Sequence, residues 1–229
     1  DDGWHIFSES LWINNDHIET LSRLDIQVSA DNDIVLDIQT DFQDAYGKYT
    51  SHYLPVGIMS DALVGWLDMA ITDGFVPDGQ FILHGDLSDF PFDNNDGAFQ
   101  VVFAAEDLNL RFLKDWPLLD DASAFVRFDH RSLQVKNACA KTLGAELYDG
   151  YAEIDDLLDP HLTVRLDANA RNEKLQSYIW QSPLDDMLGD SMRLFQVAGD
   201  SELNLVIDVA LNKKHVQTEV EGHLKLTDT

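Results

Sequence analysis

Leu203, Leu205, Ile207, Val209 and Leu211 occupy every second position, with Asn204, Asp208 and Ala210 among the residues between them. Successive side chains of a strand point to opposite faces, so this spacing describes a sheet with one apolar face and one wet face. The pattern returns in Val216, Thr218, Val220, Leu224 and Leu226, set against Gln217, Glu219, Glu221, His223 and Lys225. It returns again in Leu162, Val164, Leu166, Ala168 and Ala170, set against Thr163, Arg165, Asp167, Asn169 and Arg171. Only two segments carry helical periodicity, too few to cover so much apolar sheet. Either the sheet covers itself or a ligand covers it.

Strands are predicted at Leu24–Val28, Ile34–Phe42, Tyr46–Tyr53, Gln80–Leu87, Ala98–Ala105, Leu108–Phe112 and Ala122–Asp129. Further strands are predicted at Leu133–Ala138, Ala145–Ile154, Leu162–Arg171, Leu175–Trp180, Leu203–Leu211 and Val216–Leu226. The links are turn-forming: Ala30–Asp33, Asp93–Gly97, Asp129–Arg131 and Asn212–Lys214. Links this short make successive strands antiparallel neighbours. One helix is predicted over 59–73 from the stripe Met59, Ala62, Leu63, Trp66, Leu67, Ala70 and Ile71, with Ser60 as N-cap and Gly74 as stop. A second, over 183–198, follows from Leu184, Met187, Leu188, Met192 and Phe195, between Ser182-Pro183 and Gly199. Ile34–Pro55 lies over Leu162–Pro183 without a gap, so one elongated unit over 1–229 is expected to contain two structural repeats, about 1–130 and 131–229.

The expected fold class is mainly β: an elongated antiparallel sheet curled into a groove, or alternatively a closed sandwich, with two amphipathic helices. The chain has 15 basic and 42 acidic residues, a formal charge of −27. Such a field repels nucleic-acid phosphates and anionic headgroups, and serves solubility. No segment approaches the roughly 20 apolar residues of a membrane-spanning helix. The start, Asp1-Asp2-Gly3-Trp4, reads as cut from something longer. Cys139 is the single cysteine, which excludes an internal disulfide and a cysteine metal site.

Catalytic signatures are weak. The pairs Asp120–Asp121, Asp155–Asp156 and Asp185–Asp186 could serve acid/base chemistry in a carbohydrate-active enzyme, but neighbours on a strand face opposite ways. The loop Asp93-Asn94-Asn95-Asp96-Gly97 lacks the glycine placement and the distal glutamate of a calcium loop. The eight histidines form no metal-binding spacing, and no phosphate loop, nucleophile elbow or dinucleotide fingerprint occurs. The expectation is a non-enzyme with no cofactor and no metal.

The apolar face is the remaining candidate site: Phe81, Leu83, Phe99, Val101, Phe103, Leu108, Leu110, Phe112, Val126 and Phe128, with Leu162, Val164, Leu166, Leu203, Leu205 and Ile207. These residues suit either the dry core of a sandwich or a trough for a ligand.

Several stretches carry a family resemblance. Tyr53–Met59 leads through Leu63–Ile71, with its Trp66-Leu67, to Gly79–Phe92, with His84-Gly85-Asp86-Leu87. Gly97–Phe103 continues through Leu110-Arg111-Phe112 to Trp116-Pro117-Leu118-Leu119, and Ser182-Pro183-Leu184 opens a later unit. Together they resemble the YhdP-type AsmA-like proteins of Gram-negative envelopes, over most of the chain. The resemblance implies a middle segment of a longer periplasmic body with an inner-membrane anchor, forming an open β-groove that carries phospholipid acyl chains between the two membranes. It implies acyl chains and adjoining segments of the parent chain as partners, with no nucleic acid and no span within the segment. The alternative is a structural or protein-interaction β-module with a dry core.

Overall fold

Each strand of this chain pairs with the next one along it. The computed structural model describes residues 3–54, 56–111, 115–183, 185–186, 199–211 and 217–226. Eleven strands form one antiparallel meander in sequence order: β1 (Trp4–Asn14), β2 (Glu19–Val28), β3 (Ile34–Tyr46), β4 (Ile71–Asp86), β5 (Ala98–Leu110) and β6 (Leu119–Asp129). They continue as β7 (Ser132–Thr142), β8 (Ala145–Ile154), β9 (His161–Arg171), β10 (Asp200–Ala210) and β11 (Gln217–Leu226). The sheet does not close: among the described residues β1 pairs only with β2, and β11 only with β10. This is the expected mainly β, antiparallel architecture. The turns use the residues that suit them. Asn15 Oδ1 accepts from the amides of His17 and Ile18, Ser29 Oγ accepts from Asp33 N, and Asn32, His130 and Gly144 take positive φ.

Helix α1 spans Asp61–Ala70, shorter than predicted, after a 3-10 turn at Val56–Ile58. Ser60 caps it, its side chain accepting from Leu63 N at 3.2 Å. Gly74 is not its stop. β4 starts directly at Ile71, and Gly74 lies within it at φ 149°, where an added Cβ would come 2.3 Å from Leu108 Cδ2. Leu63 and Leu67 face inward and join Met59, Phe99, Phe128, Leu133, Ile154, Leu157 and Leu162 in the core.

Four strand expectations are corrected. β1 was not foreseen, because Trp4–Asn14 is an edge strand whose apolar residues fall on both faces and stay exposed. Tyr46–Tyr53 is not a strand: β3 ends at Tyr46 and Gly47–His52 is a 3-10 helix, with the buried Gly47 so close to Gly74 N that an added Cβ would lie 3.0 Å from it. Leu108–Phe112 is not separate, since β5 runs through Ala105 to Leu110 across a bulge. Leu175–Trp180 belongs to helix α2 (Asn172–Trp180), with Glu173 in the first turn and Ile179 turned into the core. An acidic residue suits the positive end of that helix dipole. Residues 187–198 of the second predicted helix, and Leu184, lie outside the described residues.

A band of bulges crosses the sheet. Asp107 on β5, Asp121 on β6, Asn137 on β7 and Asp149 on β8 all take φ near +50°, each beside a register break in its ladder. Aspartate and asparagine tolerate this left-handed conformation better than other side chains. Bulges bend a strand and increase its twist, so a run of them on successive strands curves the sheet along one line.

Candidate functional site: an uncharged lane across the sheet

Following the register from strand to strand produces an unbroken row: Ile13, Thr20, Phe42, Gly79, Phe103, Val126, Val135, Ala152, Val164, Ile207 and Val220. It crosses all eleven strands and contains no charged residue. A second row runs beside it: Leu11, Ser22, Thr40, Phe81, Val101, Phe128, Leu133, Ile154, Leu162, Val209 and Thr218. The opposite face is different. There the row between them reads Trp12, Leu21, Asp41, Gln80, Val102, Arg127, Gln134, Glu153, Thr163, Asp208 and Glu219. Cross-strand hydrogen bonds from Gln80 Nε2 to Asp41 and from Thr163 Oγ1 to Asp208 hold this polar face.

The two inner rows differ in cover. Phe128, Leu133, Ile154, Leu162 and Val209 are buried, within a core that includes α1 and the β8–β9 link, where Ser60 N donates to Leu157 O and both Leu63 and Leu157 are fully buried. In the first row Phe42, Phe103, Val126, Val135, Ala152 and Val164 stay half-buried, and Ile13 is 48% exposed. Part of the apolar face is therefore dry core, and part is a lane that solvent reaches.

At the β8–β10 end the lane meets a cavity of about 70 Å³. Its floor is Leu147, Val164, Leu166, Ala168, Ala170, Leu203, Leu205 and Ile207; Trp116, Pro117, Leu119, Thr142, Ala145, Tyr178 and Ser201 complete the lining. Trp116 and Tyr178 meet edge to face at 6.2 Å between centroids. Burial raises the pKa of the Tyr178 phenol, keeping it protonated. Thr142 is 1% exposed, and its Oγ1 has no hydrogen-bond partner among the described residues.

The residues predicted for the site share this face but not one environment. Phe99, Phe128, Leu162, Leu205 and Ile207 are buried; Phe81, Leu83, Val101, Phe103, Val126, Val164, Leu166 and Leu203 are half-buried against the core. Leu108 and Leu110, beyond the bulge, are also half-buried, and Phe112 lies outside the described residues. Prediction missed Trp116, Thr142 and Tyr178, which stand outside any long alternating run. Trp116-Pro117 was visible as a motif, but nothing local ties it to β9 and β10.

No group of three or more His, Cys, Asp or Glu placed to hold a metal occurs among the described residues. Of the acidic pairs, Asp121 is ion-paired to Lys141 at 3.0 Å and Asp156 caps its own turn through Leu158 N. Among the described residues no helix is long and apolar enough to cross a membrane.

The sequence profile of the YhdP protein family matches residues 1–229, the whole chain. The chain belongs to the YhdP family. The intermembrane phospholipid transporter YhdP of Escherichia coli (strain K12) is 26% identical over 179 residues, covering 78% of this chain and 14% of that protein. This YhdP-family chain thus spans a small part of that relative's length. No solved structure matches it.

Proposed function

We propose that this chain is a non-catalytic stretch of a lipid conduit in the Gram-negative envelope, lying in the periplasm as part of a longer chain anchored in the inner membrane. Phospholipid acyl chains travel along its apolar face between the two membranes. The observation that carries the reading is the uncharged row from Ile13 to Val220, continuous over eleven strands and half-buried along most of its length. The relative's name, intermembrane phospholipid transporter, supports it.

The energetics fit such a role. An acyl chain exposes about 0.8 kcal/mol of unfavourable surface per methylene to water, so ~16 carbons face a barrier of about 12 kcal/mol. An apolar lane removes most of this without hydrogen bonds that would pin the chain. The residues proposed to line it are Phe81, Leu83, Val101, Phe103, Leu108, Leu110, Val126, Val164, Leu166 and Leu203 at its surface. Phe99, Phe128, Leu162, Leu205 and Ile207 lie beneath as its floor. The free edges at β1 and β11 suit adjoining segments of the parent chain, which would extend the lane.

A second reading, a structural module with a dry core, draws on the buried row from Phe128 to Val209. One experiment separates them. A benzophenone amino acid is placed at position 103, on the lane, and in another variant at the adjacent position 102, on the polar face. Irradiation in cells followed by mass spectrometry should give phospholipid adducts at 103 and not at 102. Adducts at neither position, or equally at both, would remove the conduit reading.

A further inference from the structure

We propose that the cavity beneath Trp116 and Tyr178 is a stopping seat for the carbonyl end of an acyl chain, a place where a travelling lipid is held by hydrogen bonds rather than merely passed along. The inference rests on the lipid-carrying reading and adds a specific ligand group to it.

The donors come first. Thr142 is almost wholly buried, lines the cavity, and its hydroxyl finds no hydrogen-bond partner among the described residues. Buried polar groups in folded proteins are nearly always paired, so an orphan hydroxyl lining a cavity marks a place where something else supplies the partner. Tyr178 lines the same cavity and makes no side-chain hydrogen bond among the described residues, while its burial keeps the phenol protonated and able to donate. Two hydroxyl-bearing side chains without a partner among the described residues therefore line one chamber.

The surroundings select the acceptor. Among the described residues none that lines the cavity is charged, so a phosphate or an ionised carboxylate would lose its hydration with no counter-charge. A plain hydrocarbon would leave both hydroxyls unpaired. A neutral carbonyl oxygen on an apolar chain satisfies them: the ester of a phospholipid, or the protonated head of a fatty acid. At about 70 Å³ the cavity is half the size of one that holds benzene, ~150 Å³, which suits a short length of chain rather than a whole tail. Val164 and Ile207 belong both to its floor and to the lane, so the rest of the chain has a continuous path outward.

The test compares lipids that differ only in the carbonyl. The full chain is loaded from vesicles containing equal amounts of diester and diether phosphatidylcholine of the same chain length, with oleic acid as a third component, and the bound lipids are extracted and counted. The wild type should enrich the diester over the diether by about three- to tenfold, the discrimination expected of one or two net hydrogen bonds. Thr142→Val combined with Tyr178→Phe should bring that ratio to about one, and Thr142→Ser should preserve it. Enrichment of oleic acid that disappears in the same double variant supports the seat and assigns it to free fatty acid. Equal loading of diester and diether by the wild type with no enrichment of oleic acid, or enrichment that survives both substitutions, overturns the seat and leaves the conduit standing. Loading of no lipid at all removes the conduit, and the seat with it. Both substitutions keep side-chain shape, and a melting curve for each variant verifies the fold.

Discussion

Phe42 and Phe103 touch across a strand that separates them. They sit on β3 and β5, their ring centroids 6.4 Å apart, and the residue between them on β4 is Gly79. A Cβ built on Gly79 would lie 2.3 Å from Phe42 Cζ and 2.8 Å from Phe103 Cβ. The missing side chain lets two rings close over the middle strand and gives the lane a continuous apolar floor there.

Gly79→Ala should therefore cost about 1–3 kcal/mol of stability, the range for overpacking, although alanine itself suits a strand backbone. The measurement is urea unfolding of both proteins. A variant as stable as the wild type would mean that the two rings move apart without cost.

Phe103→Asp and Ile154→Asp should behave differently, though both put a carboxylate on the same face. Ile154 is fully buried, in the core cluster with Leu63 and Leu157, so a charge there has no water and should unfold the chain. Phe103 is half-buried on the lane, where a carboxylate keeps part of its hydration. Phe103→Asp should stay folded by circular dichroism while lipid capture falls roughly tenfold or more, because an unpaired charge now stands on the acyl path. Equal loss of folding in both variants would show that the lane is as dry as the core.

The sheet was legible because its signal is local. Leu162 to Ala168 alternate without interruption, Leu203 to Val209 do so but for Val206, and β8, β9, β10 and β11 fall within three residues of where alternation puts them. What was hidden is not local. The extra residues at Asp107 and Asn137 break the alternation, so β5 read as two strands and β7 as ending at Ala138. α2 carries Tyr178 and Ile179 side by side, a pair that a short strand would also tolerate. The cavity is harder still to foresee. Trp116, Thr142 and Tyr178 come together only because β8, β9 and β10 bring distant stretches into register, and no spacing in the chain encodes that meeting.

The bulges make their own prediction. Asn137 holds φ at 52° and is exposed, so replacing it tests backbone conformation with little change in packing. Asn137→Val should destabilise by about 1–2 kcal/mol, since a β-branched residue is strained at positive φ, whereas Asn137→Gly should be neutral or nearly so. Thermal melting of the pair is the measurement. If valine were tolerated as well as glycine, the bulge at this position would not need a left-handed residue.

The turn between β6 and β7 should govern part of the response to acid. Burial of Asp129 pushes its pKa up, but hydrogen bonds from His130, at 2.7 Å, and from Arg127 outweigh this and hold the carboxyl below its ordinary value. A carboxylate whose folded pKa lies below the unfolded one, about 3.9, stabilises the fold above that unfolded value and loses the contribution as pH falls through the folded one. The melting temperature of the wild type should thus include a drop below about pH 4 that Asp129→Asn lacks. At pH 7 the variant should melt lower, because Arg127 and His130 lose the anion they share. The decisive comparison is the difference in melting temperature between the two proteins: it should shrink from pH 7 to pH 3. A difference that stays constant over that range would mean that Asp129 acts through packing of the turn and not through its charge.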